Sequence, residues 1–185
     1  PTKHVVCCAG VWSPSIGAMA GIEVNIKPRQ GQILVSEKSV YVARRKVTEF
    51  GYLAAKFENC GYKRDVTQEM EEYGIAMVFE PTKAGNFLIG SSRRFDGENI
   101  SSHRGVIRCL AKRAIRFFPI IREIKVIRSY AGLRPYTPDH LPIISSTRLP
   151  GFWVAAGHEG DGIGLSLITG VLVSQMICNE TTILP

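Results

Sequence analysis

At 185 residues, 45% of them hydrophobic and 21% charged, the chain has the make-up of an ordinary globular protein, which excludes disordered and fibrous classes. A chain of this length buries about 70% of its unfolded surface, enough for a core that needs neither disulfides nor metal, in one or two lobes. The 23 basic residues against 16 acidic ones leave a net charge of +7, a moderate and scattered excess that permits nucleic acid, an anionic membrane or acidic ligands as partners.

The N-terminus, Pro1-Thr2-Lys3-His4, has no initiator Met and no apolar signal core, and it runs at once into a strand-like segment. This predicts that the chain begins inside something larger. The apolar run 4–9 predicts a strand closed by Gly10, and Ser13-Pro14 offers an N-cap and a first-turn proline for a helix to about Ala20. Short strands are expected over 32–36, 40–43 and 51–57, then a polar loop over 58–73. Residues 75–79 and 86–89 predict two strands joined as a hairpin through Pro81-Thr82-Lys83-Ala84-Gly85.

From 101 or 102 to 118 the apolar residues recur at helical spacing, with Arg104, Arg108, Lys112, Arg113 and Arg116 on the other side, and Pro119 ends the helix. A basic helix for nucleic acid is one reading. An amphipathic helix with a solvated face is the better one, because the segment carries no aromatic platform and no groove-reading motif. Strands are expected over 123–130 and 152–156, and a helix apolar on nearly all sides, hence internal, over 162–178. Polar residues and glycines interrupt that last run, which falls short of the ~20 apolar residues that cross a bilayer, so no transmembrane segment is predicted. The cysteines Cys7, Cys8, Cys60, Cys109 and Cys178 are odd in number and lack CxxC spacing, and they read as reduced thiols in the cytoplasm with no metal-ligand set.

Two glycine-bearing segments carry the chemistry. In residues 130–144 a single arginine, Arg134, sits among turn formers in an otherwise apolar stretch. Its planar fork of donors matches a carboxylate ligand, and an ion pair with Asp139 or Glu159 would answer its charge equally well. In Gly157-His158-Glu159-Gly160-Asp161-Gly162-Ile163-Gly164, a strand passes through a glycine loop into a helix. That geometry aims free N–H groups and the positive helix end at an anion or a polarised carbonyl. His158 reads as a hydrogen-bonded structural residue rather than a base.

The ordered segments VVCCAGVWSP, RQGQIL, PTKAGNFLIGSS, YAGLRPYTPDHLPII and FWVAAGHEGDGIGLSLITG resemble the C-terminal half of the FAD-dependent amino-acid and amine oxidoreductases. That family includes glycine oxidase, D-amino-acid oxidase, sarcosine oxidase and the proline dehydrogenase β-type subunits. The resemblance covers essentially the whole chain. It implies an α+β fold, with an antiparallel-sheet substrate lobe plus helices and the C-terminal part of a Rossmann-like FAD lobe. The implied segments are 1–21 in the FAD lobe, 22–130 in the substrate lobe and 131–185 returning to the FAD lobe. The family's GxGxxG fingerprint is absent from this sequence, so the resemblance implies a fragment that is inactive by itself.

By position, Arg134 resembles the carboxylate-binding arginine, and residues 157–164 the segment that meets a non-covalent flavin. Ala9, Gly10 and Trp12 resemble the turn that closes over the cofactor. Gly132 stands where sarcosine oxidases carry their flavin-linking cysteine, so no thioether is expected. The implied reaction is oxidation of a C–N bond by hydride transfer from the substrate α-carbon to flavin, without a protein general base or other catalytic side chain. Implied partners are a small amino-acid or amine substrate and the missing N-terminal half or a partner subunit, without nucleic acid. A fragment lacking its partner lobe is expected to expose an apolar patch and self-associate. A non-catalytic assembly subunit is the alternative.

Overall fold

The computed structural model describes residues 1–39, 42–54 and 61–184. In chain order the elements are β1 (Val5–Cys7), α1 (Ser13–Met19), β2 (Lys27–Ser36), β3 (Val47–Thr48), α2 (Phe50–Ala54), α3 (Gln68–Glu72) and β4 (Val78–Pro81). They continue with β5 (Phe87–Gly90), α4 (Arg104–Phe117), β6 (Val126–Tyr136), β7 (Ile143–Ser146), β8 (Phe152–Ala156) and α5 (Gly162–Ile177). The chain divides into two compact units, residues 1–29 with 133–185, and residues 30–132. The fold is the mixed α and β type expected.

In the first unit β8 lies between β1, which it meets in parallel, and β7, which it meets antiparallel. Alternation along β8 turns Phe152, Val154 and Ala156 into a core shared with Cys7, Ile22, Val24 and Ile26. Cys7 is buried and Cys8 exposed, as the period of a strand dictates, and the described cysteines Cys7, Cys8, Cys109 and Cys178 are free thiols. Ser13 is the first helical residue of α1 rather than its N-cap, because a 3-10 turn over Gly10–Trp12 leads directly into the helix and places Trp12 at the cap. β7 was not expected from the sequence.

The helix over 162–178 forms as α5, but it is not internal. Only Thr169 and Val173 are buried, and Ile163 and Leu167 stand 96% and 84% exposed. Its apolar surface runs all the way round, while the described residues cover one side. No described helix is long and apolar enough to cross a membrane.

The second unit is built on the sheet order β3-β4-β5-β2-β6, in which β3, β4, β5 and β2 pair antiparallel. The predicted hairpin forms as β4–β5, although its first strand begins at Val78 rather than at 75 and takes in Pro81; it is closed by Thr82 N–H donating to the Asn86 carbonyl at 2.9 Å and by Gly85 at φ +87°. Helix α4 lays Val106, Cys109, Leu110 and Ala114 on the core of Leu34, Met77, Phe79 and Ile89. Phe79 is fully buried and stacks on Phe87 and Phe118 at 4.6 and 5.0 Å; burial of such a ring stabilises by about 1.5–3 kcal/mol.

Several expectations are corrected here. The strand predicted over 51–57 is helix α2 in its described part, with 55–57 outside the described residues. The cause is Glu49: its N–H is bonded to Met77 and its carbonyl accepts from Tyr52 N–H, so the chain turns at once after β3. Of the strand predicted over 40–43, residues 40 and 41 lie outside the described residues and 42–43 are not in a strand. The loop expected over 58–73 contains α3, whose N-cap Thr67 accepts from Met70 N–H at 3.3 Å, with Glu69 and Glu71 in its first turn. The strand predicted over 123–130 begins only at Val126, after a 3-10 turn at Pro119–Glu123, and continues to Tyr136.

Arg113 is the largest departure. Placed on the solvated side of α4 by its charge, it is 6% exposed and faces inward. Its Nε donates to Glu49 Oε2 at 2.7 Å, and Arg64 Nη2 donates to Glu49 Oε1 at 2.7 Å, around a carboxylate whose side chain is 2% exposed. Burial alone would push the Glu49 carboxyl up; hydrogen bonds from Arg113, the Met77 backbone and Arg64 outweigh it and hold the carboxyl below its usual range. Of the other α4 arginines, Arg108 pairs with Glu69 at 2.5 Å and Arg116 with Asp65. The helix is amphipathic, and its Arg108, Arg113 and Arg116 are engaged by acidic partners.

Candidate functional site

Because β1 and β8 run parallel, their carboxyl ends leave the same edge of the sheet, in register Cys7 with Val154. The turn with Ala9, Gly10 and Trp12 follows the first strand, and the loop 157–161 follows the second. That is how the two predicted cofactor segments, far apart in sequence, come to one edge.

Gly157 is buried at φ +89°, and a Cβ there would lie 2.7 Å from Thr137 Cγ2, itself on a fully buried residue. Only glycine turns the chain at this point. Gly157→Ala is expected to cost about 1–3 kcal/mol, read as a lower urea midpoint for the full-length protein; an unchanged midpoint would contradict the geometry.

His158 is half-buried, and burial pushes its pKa down. Thr169 Oγ1 donates to the Leu165 carbonyl at 2.8 Å, so at 2.9 Å it accepts from His158 Nε2. With the Thr169 hydroxyl proton given to Leu165, Nε2 is the donor, and the ring ties the loop to α5. The hydrogen bond expected of His158 is thus present.

Beyond Gly160, Asp161 takes the N-cap position of α5 without a side-chain cap bond, and Gly162, Ile163 and Gly164 form the first turn. The first-turn amides of a helix have no intrahelical acceptor, and in a helix of this length the aligned peptide dipoles place positive potential there. A Cβ at Gly164 would meet nothing within 4 Å. Arg134, half-buried on β6, lies against the loop: a Cβ on Gly160 would be 3.8 Å from its Nε. The predicted carboxylate clamp and the predicted glycine loop are thus side by side in one unit.

Both side chains weighed as ionic partners of Arg134 make bonds to other residues. Asp139 Oδ1 accepts from Leu141 N–H at 3.1 Å, and the Glu159 carboxylate is taken by Arg29 Nη2 and, at 2.9 Å, by His140 Nδ1. Arg29, Tyr136 and His140 were missed. Arg29 follows Pro28 at the start of β2, and an arginine among turn formers was the signal already read at Arg134. Behind the loop, a groove of about 410 Å³ runs between β1, β8 and α5, lined by Cys8, His158, Ser166 and Thr169 among others.

Parallel strands that deliver two glycine-bearing turns to one sheet edge, the second opening a long helix, are the arrangement of α/β proteins that hold a cofactor outside the carboxyl ends of their strands. The chain belongs to the FAD-dependent oxidoreductase family, whose family model matches residues 1–176. It is 29% identical over 181 residues to the hydrogen cyanide synthase subunit HcnC of Pseudomonas aeruginosa, covering 97% of this chain and 37% of that protein. It is 32% identical over 160 residues to a subunit of the opine oxidase of Rhizobium meliloti, covering 86% of this chain and 35% of that one. To glycine oxidase of Geobacillus kaustophilus it is 26% identical over 97% of its length and 42% of the relative's. The crystal structure of glycine oxidase from that organism superposes with a TM-score of 0.78 at 24% identity, over 98% of this chain and 43% of that one.

The chain thus spans well under half the length of these relatives. FAD is the cofactor of the family, and the open first turn of α5 fits an electron-rich edge of such a group.

Proposed function

We propose that the chain is part of a flavin-dependent enzyme that oxidises the C–N bond of a carboxylate-bearing amine, of the glycine, proline or sarcosine kind. The observation that carries this reading is the placement of Arg134 against Gly160, in the loop that opens α5. In it, residues 1–21 and 131–185 belong to the FAD lobe and residues 22–130 form the substrate lobe.

Arg134 binds the substrate carboxylate and so orients the α-carbon; a fixed geometry converts an encounter into an effectively unimolecular step. The backbone amides of Gly162, Ile163 and Gly164 hold the electron-rich edge of the cofactor, and Ala9, Gly10 and Trp12 flank it from the end of β1. Bound flavin supplies the acceptor for the hydride that leaves the α-carbon, and the resulting imine is hydrolysed by water or released as a cyclic imine. His158 keeps its proton on the hydrogen bond to Thr169. No base from this segment is needed where the amine binds uncharged.

The exposed side of α5, including Ile163 and Leu167, is covered in the whole enzyme by the N-terminal half of the FAD lobe or by a partner subunit. Two of the relatives are themselves named as subunits. The free thiols support a cytoplasmic location. The test is a substrate panel on the full-length protein: glycine, sarcosine and proline are expected to exceed their amides by about 10–100-fold in kcat/KM. Equal turnover of acids and amides would remove Arg134 from the role.

A further inference from the structure

Three described residues other than glycine have a left-handed backbone, His140 (φ +60°), Glu159 (φ +48°) and Asn179 (φ +56°), and the first two are bonded to each other. Such conformations persist for residues with a Cβ when the surroundings hold them. At Glu159 the holding groups come from two other segments of the same unit. Arg29 Nη2, at the start of β2, binds Oε2; His140 Nδ1, in the turn after β6, lies 2.9 Å from Oε1. The Glu159 N–H itself donates to the Pro135 carbonyl, one residue beyond Arg134, at 3.2 Å.

The ion pair is shielded, with side-chain exposures of 11% for Arg29 and 12% for Glu159. The Arg29 guanidinium also lies 4.8 Å from the centre of the Tyr136 ring, which meets the His140 ring edge-on at 5.3 Å. Both anchors are therefore braced by the same aromatic residue of β6.

We infer that Glu159 is a positioning residue, a carboxylate latch that binds Arg29 and His140 and thereby locks the loop 157–161 and the first turn of α5 against the strand that carries Arg134. Loss of the latch frees the loop while leaving β8 and the body of α5 in place. It also misaligns Gly160 with Arg134; only this last consequence rests on the proposed function, because it supposes that Arg134 holds a substrate carboxylate.

Hydrogen exchange on the full-length protein tests the latch directly. In Glu159→Gln and in Arg29→Met, amides 158–164 are expected to exchange about 10-fold faster, with the β8 amides unchanged and the double variant no faster than either single one. Glu159→Gly relieves the backbone but lacks the carboxylate, and is expected to match Glu159→Gln. Parental exchange in Glu159→Gln or in Glu159→Gly, or multiplied effects in the double variant, would overturn the latch.

In the same variants KM for a carboxylate-bearing amine should rise about 10-fold more than KM for its amide; equal rises for both would overturn the coupling to Arg134. A full-length protein that oxidises neither would refute the proposed function while leaving the exchange result to decide the latch.

Discussion

Glu49→Gln is expected to lower the unfolding free energy of the full-length protein by about 3–5 kcal/mol, the cost of leaving buried cations without their counter-charge. Arg113 and Arg64 both converge on this carboxylate in the second unit, and Arg113 has nowhere to turn for solvent at 6% exposure. The same variant tests a pH dependence. The folded-state pKa of Glu49 lies below the ordinary 4.5, so its stabilising contribution is complete above that pH and is lost as the pH falls through the lower, folded value. Urea unfolding at neutral pH and at successively more acid pH should show the parent losing this contribution and Glu49→Gln lacking it throughout. A variant within about 1 kcal/mol of the parent at neutral pH would contradict a carboxylate that holds both arginines.

Arg134→Lys is expected to raise KM for a carboxylate-bearing amine about 10–100-fold, with a smaller effect on kcat. Lysine keeps the charge but replaces a planar fork with a point donor on a flexible stem, so bidentate alignment is lost while long-range attraction stays. Steady-state kinetics on the full-length protein with acid and amide substrates in parallel measure this. An unchanged KM for the acid, or an equal rise for both, would show that Arg134 holds no carboxylate.

How far the residues alone disclosed this molecule depended on whether their signals were local. The run Phe152–Ala156, the hairpin around Gly85 and the helix ended by Pro119 carry their own punctuation, and each forms as read. The segment after Thr48 did not. Its aromatic residues favour a strand, yet the Glu49 backbone, whose N–H is bonded to the distant Met77 and whose carbonyl accepts from Tyr52 N–H, turns the chain into α2. Arg113 was misplaced for the same reason: charge alone puts an arginine outside, and only a partner 64 residues away brings it in.

At the site, the loop 157–164 and Arg134 were legible because glycines and a lone arginine stand out against apolar neighbours. Arg29 and His140 were not, because their role depends on the same carboxylate, 130 and 19 residues distant in the chain. The exposure of α5 was hidden by its composition. An apolar helix reads as buried, and composition says nothing of whether the covering surface belongs to the same segment.

Everything proposed for the chemistry requires that this segment close a flavin site and present Arg134 to an acid-bearing amine beside it. The decisive observation is the anaerobic absorbance spectrum of the full-length protein, saturated with FAD and mixed in turn with glycine, sarcosine and proline. A yellow protein is expected, whose flavin bands bleach with at least one of these amines and do so far more slowly in Arg134→Lys. A protein that takes up no flavin, or whose flavin none of the three reduces, would refute that requirement.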